Sequence, residues 1–136
     1  MSLEKNAQQA ARWLEQAQRD LKTAQGSRAM GSHEWACFQS QQAAEKAVKA
    51  LWYFHSFDPW GHSVLKLIQD FPDQSVASTL GKLKNQAARL DKLYIPTRYP
   101  NGLPDLVPGD AYTSAEAAQA MKAAKQVIDL VASLIQ

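Results

Sequence analysis

The segment His33–His55, HEWACFQSQQAAEKAVKALWYFH, contains neither glycine nor proline. Cys37, Gln41, Ala44, Val48, Leu51 and His55 recur in it at alternating four- and three-residue steps, the period of one face of an α-helix. A strand would alternate apolar and polar residues at every step, and this segment does not. Ser32 stands where an N-cap belongs, and Glu34 lies in the first turn, where the helix dipole favours an anion. The segment predicts a long helix, the most apolar of the chain, and further helical signals lie on both sides of it.

Upstream, NAQQAARWLEQAQRDLKTAQG places Ala10, Leu14, Ala17, Leu21 and Ala24 on one stripe of a helix expected to end at Gly26. Downstream, Asp58-Pro59-Trp60-Gly61 has the composition of a turn. HSVLKLIQDF then predicts a short helix that begins at His62-Ser63 and stops at Pro72. In SVASTLGKLKNQAARLDKLY, Val76, Leu80, Leu83, Ala87, Leu90 and Tyr94 keep helical register, with Gly81 a mild weakness. Thr113-x-x-Glu116 is a capping box. It opens a last helix whose apolar side carries Ala117, Met121, Ala124, Ile128, Val131 and Ile135. No strand pattern, repeat or flexible linker interrupts this order. The expected fold is all-α, an up-and-down bundle of four long helices plus one short helix, with residues 1–136 forming one domain.

Between the last two long helices lies YIPTRYPNGLPDLVPGDAYTSAE, Tyr94–Glu116, with prolines at 96, 100, 104 and 108. Irregular connections of about twenty residues are uncommon inside compact domains and tend to be functional or tightly packed. The prolines lower the entropy lost when such a segment is ordered. Arg98 has two readings here. It braces the segment through carbonyls or through Asp105 and Asp110, or it offers a bidentate phosphate contact.

A net charge of +2 does not by itself imply a nucleic-acid partner. The distribution is uneven, however. Lys82, Lys84, Arg89, Lys92 and Arg98 face only Asp91, whereas acids outnumber lysines from Tyr99 onward. Gln41, Glu45 and Lys49 stack along one side of the second helix beside Gln42 and Lys46. They read as a polar network with Asp20 the partner of Lys46 and His62 an anchor of the short helix, or as a solvated face. Lys46 and Lys49 are also candidates to assist Arg98 and Lys92 in holding an anion. The single cysteine, Cys37, is expected to be a small core residue, and no disulfide framework exists. His55, Asp58 and His62 lack a fourth ligand and the tight spacing of structural zinc, so neither metal nor cofactor is expected. Phosphate-binding glycine motifs are missing, and no serine–histidine–aspartate set stands out. Arg28 and His33 match an arginine–histidine pair able to cleave RNA, the histidine activating a ribose hydroxyl and the arginine steadying the phosphate. Nothing approaches a membrane span or a secretory leader, and a cytoplasmic protein is expected.

Five blocks in order, ARWLEQAQRDLKTAQ, WACFQSQQAAEKAVKALWYFH, GHSVLKLI, LDKLYIPTRYP and AYTSAEAAQAMKAAKQVIDLV, resemble the HEPN domain family over almost the whole chain, including its small free-standing prokaryotic members. CFQSQQAAEKAVKAL, HSVLKL and TRYP are the most specific of these markers. The resemblance implies a bundle of four or five helices that pairs as a two-fold homodimer. Many members are ribonucleases, often toxins of toxin–antitoxin pairs, with an arginine followed four to six residues later by a histidine near the last helices. Others lack that motif and are proposed to bind nucleotides or to act as interaction modules, and prokaryotic members often accompany a nucleotidyltransferase. Here no histidine follows His62, and the Arg28–His33 match precedes the second helix instead. A homodimer without the usual nuclease chemistry is therefore the leading expectation, and together with the reading of Arg98 as a phosphate contact it leads to an expected nucleotide or short RNA ligand at Arg98. A toxin-like ribonuclease and a partner module for a nucleotidyltransferase are the alternatives.

Overall fold

A computed structural model describes residues 2–136. In chain order the elements are α1 (Leu3–Ala29), α2 (His33–Phe54), α3 (Val64–Gln69), α4 (Gln74–Leu80), a 3-10 turn (Gly81–Leu83) and α5 (Lys84–Asp91). A second 3-10 turn (Pro100–Gly102), α6 (Pro108–Ala111) and α7 (Ser114–Ile135) complete the chain. No strand occurs among the described residues. None of their helices is long and apolar enough to cross a membrane.

α2 is the central element, packed between α1 and α7 and touched also by α3, α5 and α6. This explains its apolar composition: it is buried on more than one side, through Ala36, Cys37, Ala43, Ala44, Ala47, Val48, Ala50 and Leu51. Ala10, Ala17 and Ala24 on α1 are fully buried, and such small side chains let α1 lie close to α2. Leu51, Leu67, Ile68, Phe71, Leu80 and Leu90 fill the larger spaces. Each such side chain contributes roughly 1.5–3 kcal/mol of burial energy.

Two expected boundaries move. α1 continues through Gly26 to Ala29. Gly31, at φ +89°, ends it instead. Ser32 N–H donates to Ser27 O at 2.8 Å and Gly31 N–H to Arg28 O at 3.0 Å, the paired bonds of a Schellman end. That motif demands a left-handed residue after the last turn, and Gly31 rather than Gly26 stands there. The expected long helix over Ser75–Tyr94 is jointed, with α4 and α5 separated by the turn at Gly81–Leu83. The joint forms where Gly81 leaves the backbone least constrained.

Side-chain caps are present at the start of α3, where the short helix is expected to begin, and at α7, where the capping box is expected. Ser63 accepts from Lys66 N–H at 3.0 Å. Thr113 and Glu116 exchange both bonds of the capping box at the start of α7. Ser32 precedes α2 without a side-chain cap bond. The Pro-rich segment is more regular than its composition implies, because Pro100 and Pro108 each open a short helical turn. Thr97 is buried within it and donates to Leu93 O at 2.6 Å. Gly109 lies so near α2 that a Cβ there would stand 3.3 Å from a carboxylate oxygen of Glu34.

Candidate functional site

One face of α2 carries Phe38, Gln41, Glu45 and Lys49, and the connection before α3 and the segment after α5 close over it. Glu45 is buried. Its carboxylate accepts from Lys49 Nζ at 3.1 Å and from Gln41 Nε2 at 3.4 Å, and it faces His62 Nδ1 at 3.4 Å. Gln41 also donates to His62 O at 2.9 Å and accepts from Gln42 at 2.8 Å. The His62 ring, mostly exposed, stacks on Tyr94 with centroids 5.1 Å apart. Tyr94 in turn packs against Phe38 at 6.1 Å.

Arg98 completes this cluster. Its Nε donates to Tyr94 O at 2.9 Å, one turn back along the chain. Its Cζ lies 4.3 Å from the Phe38 ring centre, 4.7 Å from that of Tyr94 and 5.2 Å from that of Tyr99. Among the described residues no carboxylate pairs with it, Asp105 and Asp110 included. The guanidinium is thus held by one carbonyl and three rings while keeping its full charge. A cleft of about 170 Å³ opens beside Tyr94, walled by His62, Ser63 and Asp91.

Asp91, the one acid of the basic segment, turns away from those cations. It accepts from Ser63 Oγ at 2.6 Å, from Val64 N–H at 2.7 Å and from Leu65 N–H at 3.2 Å. In this way the end of α5 caps the start of α3 and positions His62 and Tyr94.

The other sequence candidates fall in different places. Lys46 lies on the α1 side of α2 and pairs with Asp20 at 2.6 Å, while Gln16 bonds the same carboxylate at 2.8 Å. The polar residues therefore form two groups, one tying α2 to α1 and the other tying it to the entry of α3. Lys92 is exposed at the end of α5 and has no carboxylate partner among the described residues. Arg28 reaches across to α7 and donates to Ser114 O at 3.1 Å and Ser114 Oγ at 3.0 Å. His33, at the first residue of α2, has a buried Nδ1 with no hydrogen-bond partner, and no bond joins it to Arg28. Cys37 is fully buried, and desolvation, then Glu116 and Glu34, push its thiol up to about 12, which leaves it without nucleophilic character near neutral pH. No three acidic, histidine or cysteine side chains gather into a metal site among the described residues.

Sequence reading alone did not single out Phe38, or the stacking of both His62 and Arg98 on Tyr94. The one signal in the letters was Asp91, a lone acid in a basic run. Several large apolar side chains are half-exposed, among them Ile95 and Tyr99 beside Arg98 in the chain and Trp35 against its neighbour Phe38. Trp35, Ile95, Tyr99, Leu106 and Val107 are each between 45% and 51% exposed.

The family model described as "HEPN domain" matches residues 10–134. The crystal structure of TT1696 from Thermus thermophilus is similar to this chain at a TM-score of 0.85 and 41% identity, covering 92% of this chain and 97% of that one. ST0689, described as an archaeal HEPN homologue, superposes at a TM-score of 0.78 with 34% identity, over 94% of this chain and 98% of its own. A HEPN domain protein from Thermotoga maritima superposes at 0.67 with 31% identity, over 90% and 96%. No curated protein matches.

Proposed function

The chain belongs to the HEPN family, and from that premise we propose that it is a non-catalytic member that binds a nucleotide or another phosphate-bearing ligand at Arg98, as a homodimer. The observation that carries this reading is the state of Arg98: immobilised by Tyr94 O and by three aromatic rings, with no carboxylate neutralising it. A guanidinium already fixed in place loses little entropy when it meets a phosphate, and its planar fork matches two phosphate oxygens. Exposed Lys92 adds field to the same surface. Lys46 and Lys49 contribute less, because Asp20 and Glu45 already compensate them.

The homodimer part of the proposal is supported by half-exposed apolar side chains, of which Ile95 and Tyr99 flank Arg98 in the chain and Trp35 packs on its neighbour Phe38. Half-exposed Trp35, Ile95, Tyr99, Leu106 and Val107 are the kind of side chains that a partner surface covers. A ribonuclease built on Arg28 and His33 draws no support from the geometry, since Arg28 is engaged with Ser114.

Thermal denaturation with ATP and with GTP, at low and moderate salt, tests the proposal alongside Arg98→Ala. A ligand present at about one hundred times its Kd stabilises a protein by about 2.7 kcal/mol, a shift of several degrees. The expected shift disappears in the variant. A wild type that no ligand stabilises, or an equal shift in both proteins, refutes the assignment. Light scattering at micromolar concentration reads the dimer, and a monomer refutes that part.

A further inference from the structure

A second, separate basic feature lies between α5 and α7. Asp91 is the only acid between Lys82 and Arg98, and it is occupied at the start of α3. Lys82 and Arg89 on this stretch, and Lys122 across from them on α7, have no carboxylate partner among the described residues. These three cations line a groove of about 510 Å³ whose walls contain no acid. Its other residues are mostly amides. Gln86 Nε2 donates to Gln126 Oε1 at 3.3 Å, joining the two helices across the groove.

We propose that this groove binds a nucleic-acid strand through its phosphodiester backbone. Lys82, in the 3-10 turn, and Arg89, on α5, are seven residues apart, about two helical turns along the chain. The charges are therefore spread along the groove instead of converging on one point, which suits a chain of phosphates better than a single phosphate. Lysine, arginine and side-chain amides are the groups that contact phosphate and sugar. The only apolar lining residue is Ala123, which is 2% exposed. A protein partner would find no apolar core there, whereas nucleic-acid interfaces are polar and positively charged. No aromatic ring lines the groove, so bases do not stack in it and recognition tolerates sequence.

Fluorescence anisotropy with a labelled mixed-sequence RNA, and with DNA of the same sequence and length, tests the proposal over a range of salt. Three phosphate contacts give a log–log slope near −2 for a single strand, hence roughly twentyfold weaker binding at 200 mM salt than at 50 mM. The combined variant Lys82→Gln, Arg89→Gln and Lys122→Gln replaces exposed side chains only. It is expected to keep the wild-type melting temperature and to lose tenfold or more in affinity. The thermal shift produced by ATP or GTP is expected to persist in the triple variant, which separates this groove from the Arg98 site. Equal RNA and DNA affinity assigns the contacts to phosphate alone, and tighter RNA binding adds the ribose hydroxyl. Unchanged affinity in the triple variant overturns the proposal. So does equal binding of polyglutamate, which makes the groove a site for acidic protein, or displacement by inorganic phosphate at the oligonucleotide's concentration.

Discussion

The Cζ of Arg98 lies 4.3 Å from the centre of the Phe38 ring. Arg98 belongs to the Pro-rich segment and Phe38 to the first turns of α2, so this contact pins the segment to the central helix. Arg98→Ala removes it together with the bond to Tyr94 O, and about 1–2 kcal/mol of stability is expected to go with them. Arg98→Lys keeps the charge and loses the planar stack. Urea unfolding of the two variants reads the difference: a lysine variant as stable as wild type contradicts the stacking role.

Asp91→Ala leaves the Ser63 hydroxyl and two backbone donors at the start of α3 without their acceptor. Charged hydrogen bonds of this kind make a loss of about 2–3 kcal/mol the expected result. Because α3 and the His62–Tyr94 stack share this anchor, hydrogen exchange in Val64–Gln69 is expected to accelerate. Unchanged protection there contradicts the capping role.

Glu45→Ala strands Lys49 and Gln41 in a largely buried setting, and breaking a buried pair in this way costs about 3 kcal/mol. The exposed pair Lys125–Asp129, at 2.7 Å, provides the control, and Asp129→Ala is expected to cost at most about 0.5 kcal/mol. Comparable losses in the two variants would contradict the burial argument.

Cys37 gives a pH prediction. Its thiol rises from 9.0 to about 12 through burial, then through Glu116 and Glu34. Since the folded value is raised, the unfolded chain releases this proton first. The linked stability is fully present below pH 9.0 and is lost as pH rises toward 12. Tyr53 and Tyr112 are raised from 10.0, chiefly by burial, and act in the same direction. Melting temperatures from pH 8 to 10.5 are expected to fall more steeply in wild type than in Cys37→Ala. Parallel curves refute the linkage.

Gly81 has φ −60° and ψ −17°, and a Cβ there meets nothing within 4 Å. Gly81→Ala therefore restricts the unfolded chain without straining the folded one, and a gain of about 0.4–1 kcal/mol is expected. A lower melting temperature would show that the joint between α4 and α5 needs glycine for a reason the local geometry does not contain.

The helices were legible before the structure because their signals are local. Apolar residues at three- and four-residue steps identify the buried faces, and Ser63 and Thr113–Glu116 act within a single turn. Boundaries were less legible where two glycines compete. Gly26 and Gly31 are equal as letters, and only the hydrogen-bonding of the chain end decides between them. The jointed α4–α5 stretch has the same origin, since a helical period survives a short 3-10 turn.

From the sequence alone, then, came the all-α class, the order of the helices, the apolar character of α2 and the unusual character of the Arg98 segment. Tertiary structure alone decided that Arg98 sits on Phe38 and Tyr94, that His62 stacks on the same Tyr94 ring, and that Asp91 caps α3 instead of pairing with nearby cations. The physical reason is range. A helical period is set by contacts within a turn, so it leaves a regular trace in the letters. A contact between two distant segments depends on where both chains arrive, and no periodicity records it.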